Sequence, residues 1–257
     1  MANTVKLERF WLDLISAFSF TERLDGAAVV CYPKVPFFVI NHAADVRVNE
    51  DEAPNLLKQV EDYFRSRGVA FVCFRVSPLT KPESFAYLLE RQGFVSTGEQ
   101  SVMVFKGSKI SENENANVLI KQITSDAQVQ VYNKLLLQIF EMPQDWEAGF
   151  AEFNRESKRA GWRLYLGYVE GKPVGTCALF SAGKVGGIFN VGPLASCRKQ
   201  GIGTALTLHA LTDSIAEGNM VHTLQAGQGG NAEQLYKKLG FSVDHTIRFF
   251  VKDLAVH

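Results

Sequence analysis

The chain carries one segment pattern twice, and this repeat restricts its possible folds more than any other feature. The first copy is Leu88-Leu-Glu-Arg-Gln-Gly-Phe94, followed by a strand-like run at 101–106. The second copy is Leu235-Tyr-Lys-Lys-Leu-Gly-Phe241, followed by a strand-like run at 247–252. Each copy predicts a short amphipathic helix that ends at glycine, which readily adopts the left-handed conformation that closes a helix. We expect the aromatic residue after it to return the chain to the core and each copy to end in a hairpin.

The segments that precede these copies correspond as well. A helical pattern at 52–67 comes before a glycine and a strand at 69–76. A helical pattern at 198–217 comes before a glycine and a strand at 220–225. A repeat on this scale predicts two related α/β domains. The alternative is a chance likeness between two unrelated α/β segments.

A polar segment separates the two predicted copies. The run at 107–117 is rich in Ser, Glu and Asn, which is the composition of a linker. We therefore predict one domain at 1–107, a linker at 108–117 and a second domain at 118–257. In the second domain the pattern predicts, in order, a strand at 118–123, helices at 126–139 and 145–160, strands at 162–169, 174–181 and 186–191, a helix from 198, a strand, a helix at 231–239 and a terminal hairpin.

Composition and charge argue against several classes of function. The 257 residues are 46% hydrophobic and 21% charged, and 27 basic residues balance 27 acidic ones. Without a basic excess, we expect neither nucleic acid nor a membrane surface as a partner. The four cysteines lie far apart and form no Cys-x-x-Cys pair, which indicates buried thiols in a reduced, cytoplasmic protein without a metal site. We expect no signal peptide and no membrane span.

The segment most informative about function joins a predicted strand to a predicted helix. It reads Phe189-Asn-Val-Gly-Pro-Leu-Ala-Ser-Cys-Arg-Lys-Gln-Gly-Ile-Gly-Thr204. Gly201 and Gly203 at the opening of the helix let backbone N–H groups approach a ligand without an intervening Cβ. The unpaired N–H groups of the first helical turn favour an anion, and Arg198 and Lys199 add full positive charges. The segment therefore predicts a phosphate site; the alternative is an ordinary helix start with two flexible glycines.

Two motifs in this half resemble a known family. Arg198-x-x-Gly201-x-Gly203, after a strand that ends in Val-Gly-Pro193, resembles motif A of the GNAT N-acetyltransferases, Gln/Arg-x-x-Gly-x-Gly/Ala. The run 235–241 resembles the LYxxxGF segment of the same family, and the order of elements over 118–252 also matches. The resemblance implies an α/β protein of tandem GNAT-like folds, each with a mostly antiparallel, mixed central sheet flanked by helices.

The resemblance also implies a site for acetyl-CoA. In the family, amides of this loop hold the CoA pyrophosphate, and the preceding strand pairs with the pantetheine arm. Many members use an asparagine at the position of Gly229, and the nearby Asn231 is our candidate for that contact. The implied cofactor-binding residues are Phe189, Asn190 and Val191 on the strand, Arg198, Lys199, Gln200, Gly201, Ile202, Gly203 and Thr204 in the loop, and Asn231.

The first copy lacks the features of a phosphate site. Before its helix lies Asn49-Glu-Asp-Glu-Ala-Pro54, which is acidic, has no glycine and would repel a pyrophosphate. We interpret the first half as a degenerate, structural copy that binds no CoA.

Tyr236 is the predicted catalytic residue. The matching tyrosine of the family donates a proton to the departing CoA thiolate. In the predicted helix, Ala232, Leu235 and Leu239 form a stripe that we expect to pack inward, with Tyr236 beside it. The alternative is a tyrosine that only packs.

The general base is not defined by the sequence, because the family uses no fixed residue for this role. Each candidate is more often a solvated group or a structural histidine. A backbone N–H near Asn190 and Val191 is our candidate for stabilising the oxyanion. Cys177 alternates with apolar neighbours, which predicts a core position. The candidate bases are Glu141, Asp145, Glu147, His222 and His245.

The predicted function is that of an N-acetyltransferase, which moves the acetyl group of acetyl-CoA to a primary amine by direct attack. The amine belongs to a small molecule or to a protein, and the sequence does not identify it. The alternative is a non-catalytic, acetyl-CoA-binding regulatory module. The oligomeric state is left open.

Overall fold

The computed structural model of the chain describes residues 2–16, 19–107 and 117–254. They form two compact units. Unit 1 consists of Met1–Val102, Ala226–Gly229 and Val243–His257, and unit 2 consists of Met103–Gln225 and Gly230–Ser242. These units divide the chain differently from the predicted domains at 1–107 and 118–257, because the last strand groups with unit 1. The predicted linker, except for its last residue, lies outside the described residues.

The helices are α1 (Ala2–Ser16), α2 (Ala53–Ser66), α3 (Phe85–Arg91), α4 (Asp126–Ile139), α5 (Glu147–Arg159), α6 (Ile202–Ala216) and α7 (Asn231–Lys238). The strands are β1 (Phe20–Leu24), β2 (Ala27–Cys31), β3 (His42–Ala44), β4 (Phe71–Val76), β5 (Val95–Phe105), β6 (Leu119–Gln122), β7 (Arg163–Val169), β8 (Lys172–Ala182), β9 (Val185–Pro193), β10 (Val221–Gly227) and β11 (Phe241–Asp253). Short 3-10 helices lie at Phe38–Ile40, Gln144–Trp146 and Ala195–Cys197.

The sheet of unit 1 is mostly antiparallel. β1 pairs with β2, β2 with β3 and β4 with β11 in antiparallel register, whereas β3 and β4 run parallel at Ala43 and Phe74. Helices α2 and α3 bury their apolar faces in the core of this unit, where Leu56, Phe64 and Leu89 are at most 1% exposed. A buried apolar face of this kind is what holds an amphipathic helix on a sheet.

The sheet of unit 2 is also mostly antiparallel. β6, β7, β8 and β9 pair antiparallel in chain order, and only β9 and β10 run parallel. The last residues of β5 belong to this unit, where the Thr223 hydroxyl donates to the Met103 carbonyl at 2.8 Å. Helices α4 and α6 both pack on β8 and β9. The predicted fold class, a mixed α/β fold with mostly antiparallel strand pairing flanked by helices, is therefore confirmed.

The predicted terminal hairpin is wrong. Residues 241–253 form one continuous strand, β11, with no turn inside it. The run contains no Gly or Pro that could favour a turn. Its backbone bonds go to β4 along Arg248–Asp253, so the partner of this strand lies far away in the sequence and left no local signal.

Helix α1 is fixed to unit 1 by a buried ionic cluster. The Glu8 carboxylate binds both terminal nitrogens of Arg75 and lies 2.8 Å from Nε2 of His245. The other ring nitrogen of His245 lies 2.8 Å from the Asp244 carboxylate. Burial alone would raise the pKa of Glu8, but Arg75 and His245 outweigh it and lower the pKa to about 2. Burial would lower the pKa of His245, but its bonds to Glu8 and Asp244 outweigh it and raise the pKa above the ordinary 6.5.

These shifts predict a pH-dependent contribution to stability. Because the folded-state pKa of His245 is raised, its stabilisation is complete below pH 6.5 and is lost as the pH rises through the folded-state value. Glu8 stabilises above its ordinary pKa of 4.5, and this contribution is lost as the pH falls toward 2. His245→Gln should lower the free energy of unfolding by about 1–3 kcal/mol at pH 6, the scale of a charged hydrogen bond. Urea unfolding should show this difference shrinking by pH 9, and an equal difference at both pH values would contradict it.

Candidate functional site

The parallel pair β9–β10 opens before β9 ends. The register joins Val221 to Val185 and continues only as far as Leu224 and Ile188. Strand β9 continues to Pro193, so the described register gives Phe189–Val191 no partner on β10. The free backbone edge of a strand can pair with an extended ligand. The structure thus places the three predicted strand residues at the opening, all of them half-buried.

A β-bulge lies at this opening. On β8, Thr176 pairs with Gly192 of β9, and Ala178 pairs with Phe189. Asn190 and Val191 therefore face the single residue Cys177, which is the two-against-one arrangement of a bulge. Asn190 has a φ of 54°, so the chain turns locally out of the extended conformation. Such a bulge changes the direction of backbone N–H groups that would otherwise bond to the neighbouring strand.

Two hydrogen bonds hold the bulge in place. The Thr176 hydroxyl donates to the Asn190 carbonyl at 2.7 Å, and the Asn190 side-chain amide donates to the Tyr132 hydroxyl at 3.1 Å. Thr176 and Tyr132 are both fully buried. A positive φ in a residue other than glycine costs about 1–2 kcal/mol, and these bonds offset that cost. Sequence reasoning missed Tyr132 and Thr176, because neither belongs to a motif.

The predicted phosphate loop connects β9 to α6. Lys199 and Gly201 have φ values of 62° and 74°, and α6 begins at Ile202 directly after them. Left-handed residues in such a loop turn successive backbone N–H groups toward one side and create an anion-binding concavity. The Ile202 side chain is 1% exposed and anchors the helix start in the core. The sequence-predicted residues of the loop are thus brought together in one turn.

The first turn of α6 is open to a ligand. The amides of Ile202, Gly203 and Thr204 have no acceptor one turn earlier, whereas the Ala205 amide donates to the Gly201 carbonyl at 2.9 Å. Residues 198–201 are exposed, which keeps both cations of the loop in solvent. A Cβ added at Gly203 would meet only the Leu235 side chain, at 3.7 Å. This combination of amide donors and positive charge suits a phosphate group.

Tyr236 lies on the buried face of α7. It is 5% exposed, and its ring centroid lies 6.0 Å from that of Phe241. Its hydroxyl has no hydrogen-bond partner within the described part of the chain. Burial, and to a lesser extent Cys177, raises the pKa of this hydroxyl well above its ordinary value. At neutral pH the group therefore keeps its proton and is available as a donor.

The predicted inward stripe of α7 is wrong. Ala232 is exposed and Leu235 and Leu239 are half-buried, whereas Glu233 and Tyr236 are buried. The Glu233 carboxylate forms an ion pair with Lys237 at 2.5 Å. A pattern based on apolar residues misplaces the face, because here a paired carboxylate occupies a buried position. Asn231, the candidate cofactor contact, is exposed in the first turn of this helix.

Cys177 lies on β8 at the position that faces the bulge. The thiol is fully buried, as predicted, and burial raises its pKa, so it stays protonated. Burial also raises the pKa of Tyr132, against the opposing effect of its hydrogen bond from Asn190. Tyr132 contacts the bulge directly, through this hydrogen bond from Asn190.

Neither candidate histidine is placed for catalysis. His222 pairs with Gly186 inside the closed part of the β9–β10 ladder, away from the opening. Its Nδ1 lies 2.8 Å from the Ser214 hydroxyl, and burial lowers the pKa of the ring. His245 belongs to the ionic cluster of unit 1. The carboxylates Glu141 and Asp145 are exposed, and Glu147 is half-buried. The structure does not single out one of these groups as a base.

Metal-binding clusters and helices able to cross a membrane are both absent from the described ranges 2–16, 19–107 and 117–254. Their His, Cys, Asp and Glu residues form no group of three or more that could hold a metal ion. Their helices include none of the length and hydropathy that crossing a membrane requires.

Comparisons with known proteins show the fold, and a family model matches part of the chain. Residues 129–241 match the model of the acetyltransferase (GNAT) family. A GCN5-related N-acetyltransferase from Kribbella flavida superposes with a TM-score of 0.78 at 18% identity, over 99% of this chain and 96% of that one. A tandem GNAT protein from the clavulanic acid biosynthesis pathway gives a TM-score of 0.60 at 13% identity, over 100% and 97% of the two chains. The comparison with curated proteins found no match. Residues 129–241, somewhat under half of the chain, are thus similar to the acetyltransferase (GNAT) family.

Proposed function

We propose that unit 2 binds acetyl-CoA and transfers its acetyl group to a primary amine. The observation that carries the proposal is the bulge at Asn190 and Val191, which lies within the open strand edge at Phe189–Val191 and is followed by the phosphate-type loop at Arg198–Thr204. An extended thioester needs a polar anchor at one end, a backbone edge along its arm and N–H donors at its carbonyl. All three features lie within residues 189–204.

The cofactor roles follow from this arrangement. The pyrophosphate accepts hydrogen bonds from the amides of the loop and of the first turn of α6, and Arg198 and Lys199 screen its charge. The pantetheine arm pairs with the free edge of Phe189–Val191. The thioester carbonyl then reaches the bulge, where a fixed N–H stabilises the negative charge that develops on oxygen. Asn231 remains a proposed contact at the start of α7.

The transfer itself is a direct displacement. The nitrogen of a neutral amine attacks the thioester carbon, the N–C bond forms and the C–S bond breaks. Tyr236 donates its hydroxyl proton to the departing sulfur, and the surplus proton of the amine passes to water or to a carboxylate. Because burial keeps the Tyr236 hydroxyl protonated, it is a donor throughout the neutral pH range.

Unit 1 has no room for a second pantetheine arm on the corresponding strand. There, the Lys81 amide donates to the Val46 carbonyl at 3.0 Å, and the Val48 amide donates to the Lys81 carbonyl at 3.4 Å. The chain itself therefore occupies the backbone edge beyond β3. Together with the acidic segment at 49–54, this supports the proposal that unit 1 binds no CoA.

A thiol-release assay over a panel of primary amines tests the proposed reaction. We expect CoA release that depends on the amine, with a matching acetylated product in mass spectrometry. Binding of acetyl-CoA without release by any amine in the panel would contradict the transfer and favour the non-catalytic module.

A reduced, cytoplasmic setting also stays a proposal, supported by the four free cysteines, three of them buried.

Asn190→Ala should impair turnover more than binding. The change removes the bond to Tyr132 and leaves alanine at a φ that costs it about 1–2 kcal/mol. We expect kcat to fall roughly tenfold or more, since a displaced N–H loses part of the oxyanion stabilisation. The phosphate loop is untouched, so calorimetry should give a nearly unchanged affinity for CoA.

Asn190→Gly is the matched control, because glycine adopts the same φ without cost and lacks only the side-chain bond. Its kcat should lie between those of the wild type and Asn190→Ala. Equal kcat values in all three proteins would show that the bulge does not contribute to the reaction.

A further inference from the structure

Unit 1 contains a cavity that the proposed transfer reaction does not use. Its volume is about 450 Å³, enough for a small molecule, and it lies between α1, β1, the end of β3 and the segment after β4. The floor includes the Arg75–Glu8 ion pair, in which Arg75 is only 3% exposed. Apolar contact surface is provided by Leu12, Ala28, Ala44 and Leu79.

The cavity corresponds in position to the bulge of unit 2. Strand β3 runs parallel to β4 at Ala43 and ends at Ala44, and the next residue, Asp45, has a φ of 50°. In unit 2, β9 loses its parallel partner after Ile188, and Asn190 has a φ of 54°. Asp45 and Ala44 line the cavity. Unit 1 thus keeps a pocket at this point of the repeat although the phosphate loop is missing.

Most of the charges that line the cavity are already paired. Glu8 binds Arg75, Asp45 binds Arg23 at 2.8 Å and Arg47 at 3.2 Å, and Glu22 binds Arg67 at 3.2 Å. The cavity therefore offers no uncompensated cluster of one sign. A multiply charged anion or cation would meet a repelling group beside every attracting one.

Two opposite charges in the cavity wall have no partner among the described residues. Arg9 and Asp13 both line it from α1, and their side chains form no ion pair or hydrogen bond with any residue that the structure describes. They lie four residues apart, so their Cβ atoms are neighbours on one helix face, about 5–6 Å from each other. The Arg9 guanidinium donates N–H hydrogen bonds, and the Asp13 carboxylate beside it accepts them. A ligand that carries both an ammonium and a carboxylate satisfies both.

We propose that this cavity binds a small zwitterion with an aliphatic body, a free aliphatic α-amino acid. Arg9 binds the carboxylate, Asp13 binds the ammonium group, and the side chain packs against Leu12 and Leu79. The ligand is bound and not acetylated there, because the corresponding strand edge of unit 1 is occupied by the chain itself.

Calorimetry and thermal-shift measurements on the full chain test the chemical class. The panel consists of aliphatic amino acids, their N-acetyl derivatives and the amines that lack the carboxylate. We expect binding of at least one amino acid, with affinity at least tenfold lower for its N-acetyl derivative and its amine. No binding by any aliphatic amino acid, or equal binding of the derivatives, would overturn the proposal.

Charge-neutralising variants test the location. Arg9→Gln and Asp13→Asn, both at exposed positions, should each weaken amino-acid binding at least tenfold. Lys6→Gln is the matched control, because Lys6 is a charged residue of the same helix that does not line the cavity. The affinity of this variant for the amino acid should be unchanged. All three variants should retain wild-type affinity for acetyl-CoA, which separates this site from unit 2. Amino-acid binding that survives both Arg9→Gln and Asp13→Asn would place the ligand elsewhere and overturn the proposal.

Discussion

Replacing Gly203 with glutamate is expected to abolish acetyl-CoA binding while the protein remains folded. Gly203 supplies one of the open amides in the first turn of α6, and the carboxylate would bring negative charge and bulk next to the proposed pyrophosphate position. Its Cβ would meet only the Leu235 side chain, at an ordinary contact distance of 3.7 Å, so the helix itself tolerates the change. We expect the affinity to fall at least a hundredfold in calorimetry, about 2.7 kcal/mol.

Gly203→Ala separates the effect of charge and bulk from the loss of glycine. The methyl group meets the same Leu235 contact and carries no charge. We expect this variant to lose less than tenfold in affinity, with a thermal unfolding temperature close to that of the wild type. If Gly203→Glu, folded by circular dichroism, bound acetyl-CoA like the wild type, the loop would not be the pyrophosphate site.

Tyr236→Phe is expected to lower turnover about a hundredfold, with acetyl-CoA affinity nearly unchanged. Phenylalanine keeps the ring that packs near Phe241 and removes only the hydroxyl, which has no other partner among the described residues. A positioned proton donor contributes on the scale of a hundredfold or more. Because the hydroxyl acts on the departing thiolate, the loss should appear in kcat and not in binding.

Tyr165→Phe is the matched control in the same unit. The Tyr165 hydroxyl donates to the Asp213 carboxylate at 2.7 Å and is therefore already engaged. Its removal should lower stability but leave turnover per folded molecule within a few fold of the wild type. Wild-type kcat in Tyr236→Phe would assign the proton to water and leave Tyr236 as a packing residue.

The elements with local signals could be predicted from the sequence. Helix α4 begins and ends where the periodicity placed it, at Asp126 and Ile139, because Ser125 and Gln128 form a capping box at its start. The loop before α6 could also be predicted, since glycines and basic residues at a helix start have a direct physical meaning. These features depend on neighbours in the sequence.

The remaining features depend on distant partners. The bulge exists because Thr176 and Ala178 pair with Gly192 and Phe189, and no local pattern defines that register. The bond from Asn190 to Tyr132 joins residues far apart in the chain, so no local pattern connects them. The sequence pattern predicted a hairpin in place of strand β11 for the same reason, since its partner β4 lies far away in the chain.

Buried charge explains the other differences from prediction. Glu233 lies on the buried face of α7, where the apolar pattern predicted leucines. Its carboxylate can be buried there because it is paired with Lys237. Glu8 is a charged residue in an apolar stretch near the start of the chain, and it binds Arg75 and His245 in unit 1. Sequence patterns assign such residues to solvent unless the partner is known.

The stoichiometry of acetyl-CoA binding tests the central claim most directly. Calorimetric titration of the full chain should give one equivalent per chain, and Gly203→Glu should remove it. This result follows if the loop at Arg198–Thr204 holds the cofactor and the Val46–Val48 edge of unit 1 is closed by Lys81. Two equivalents per chain, or one equivalent that persists in Gly203→Glu, would contradict the account.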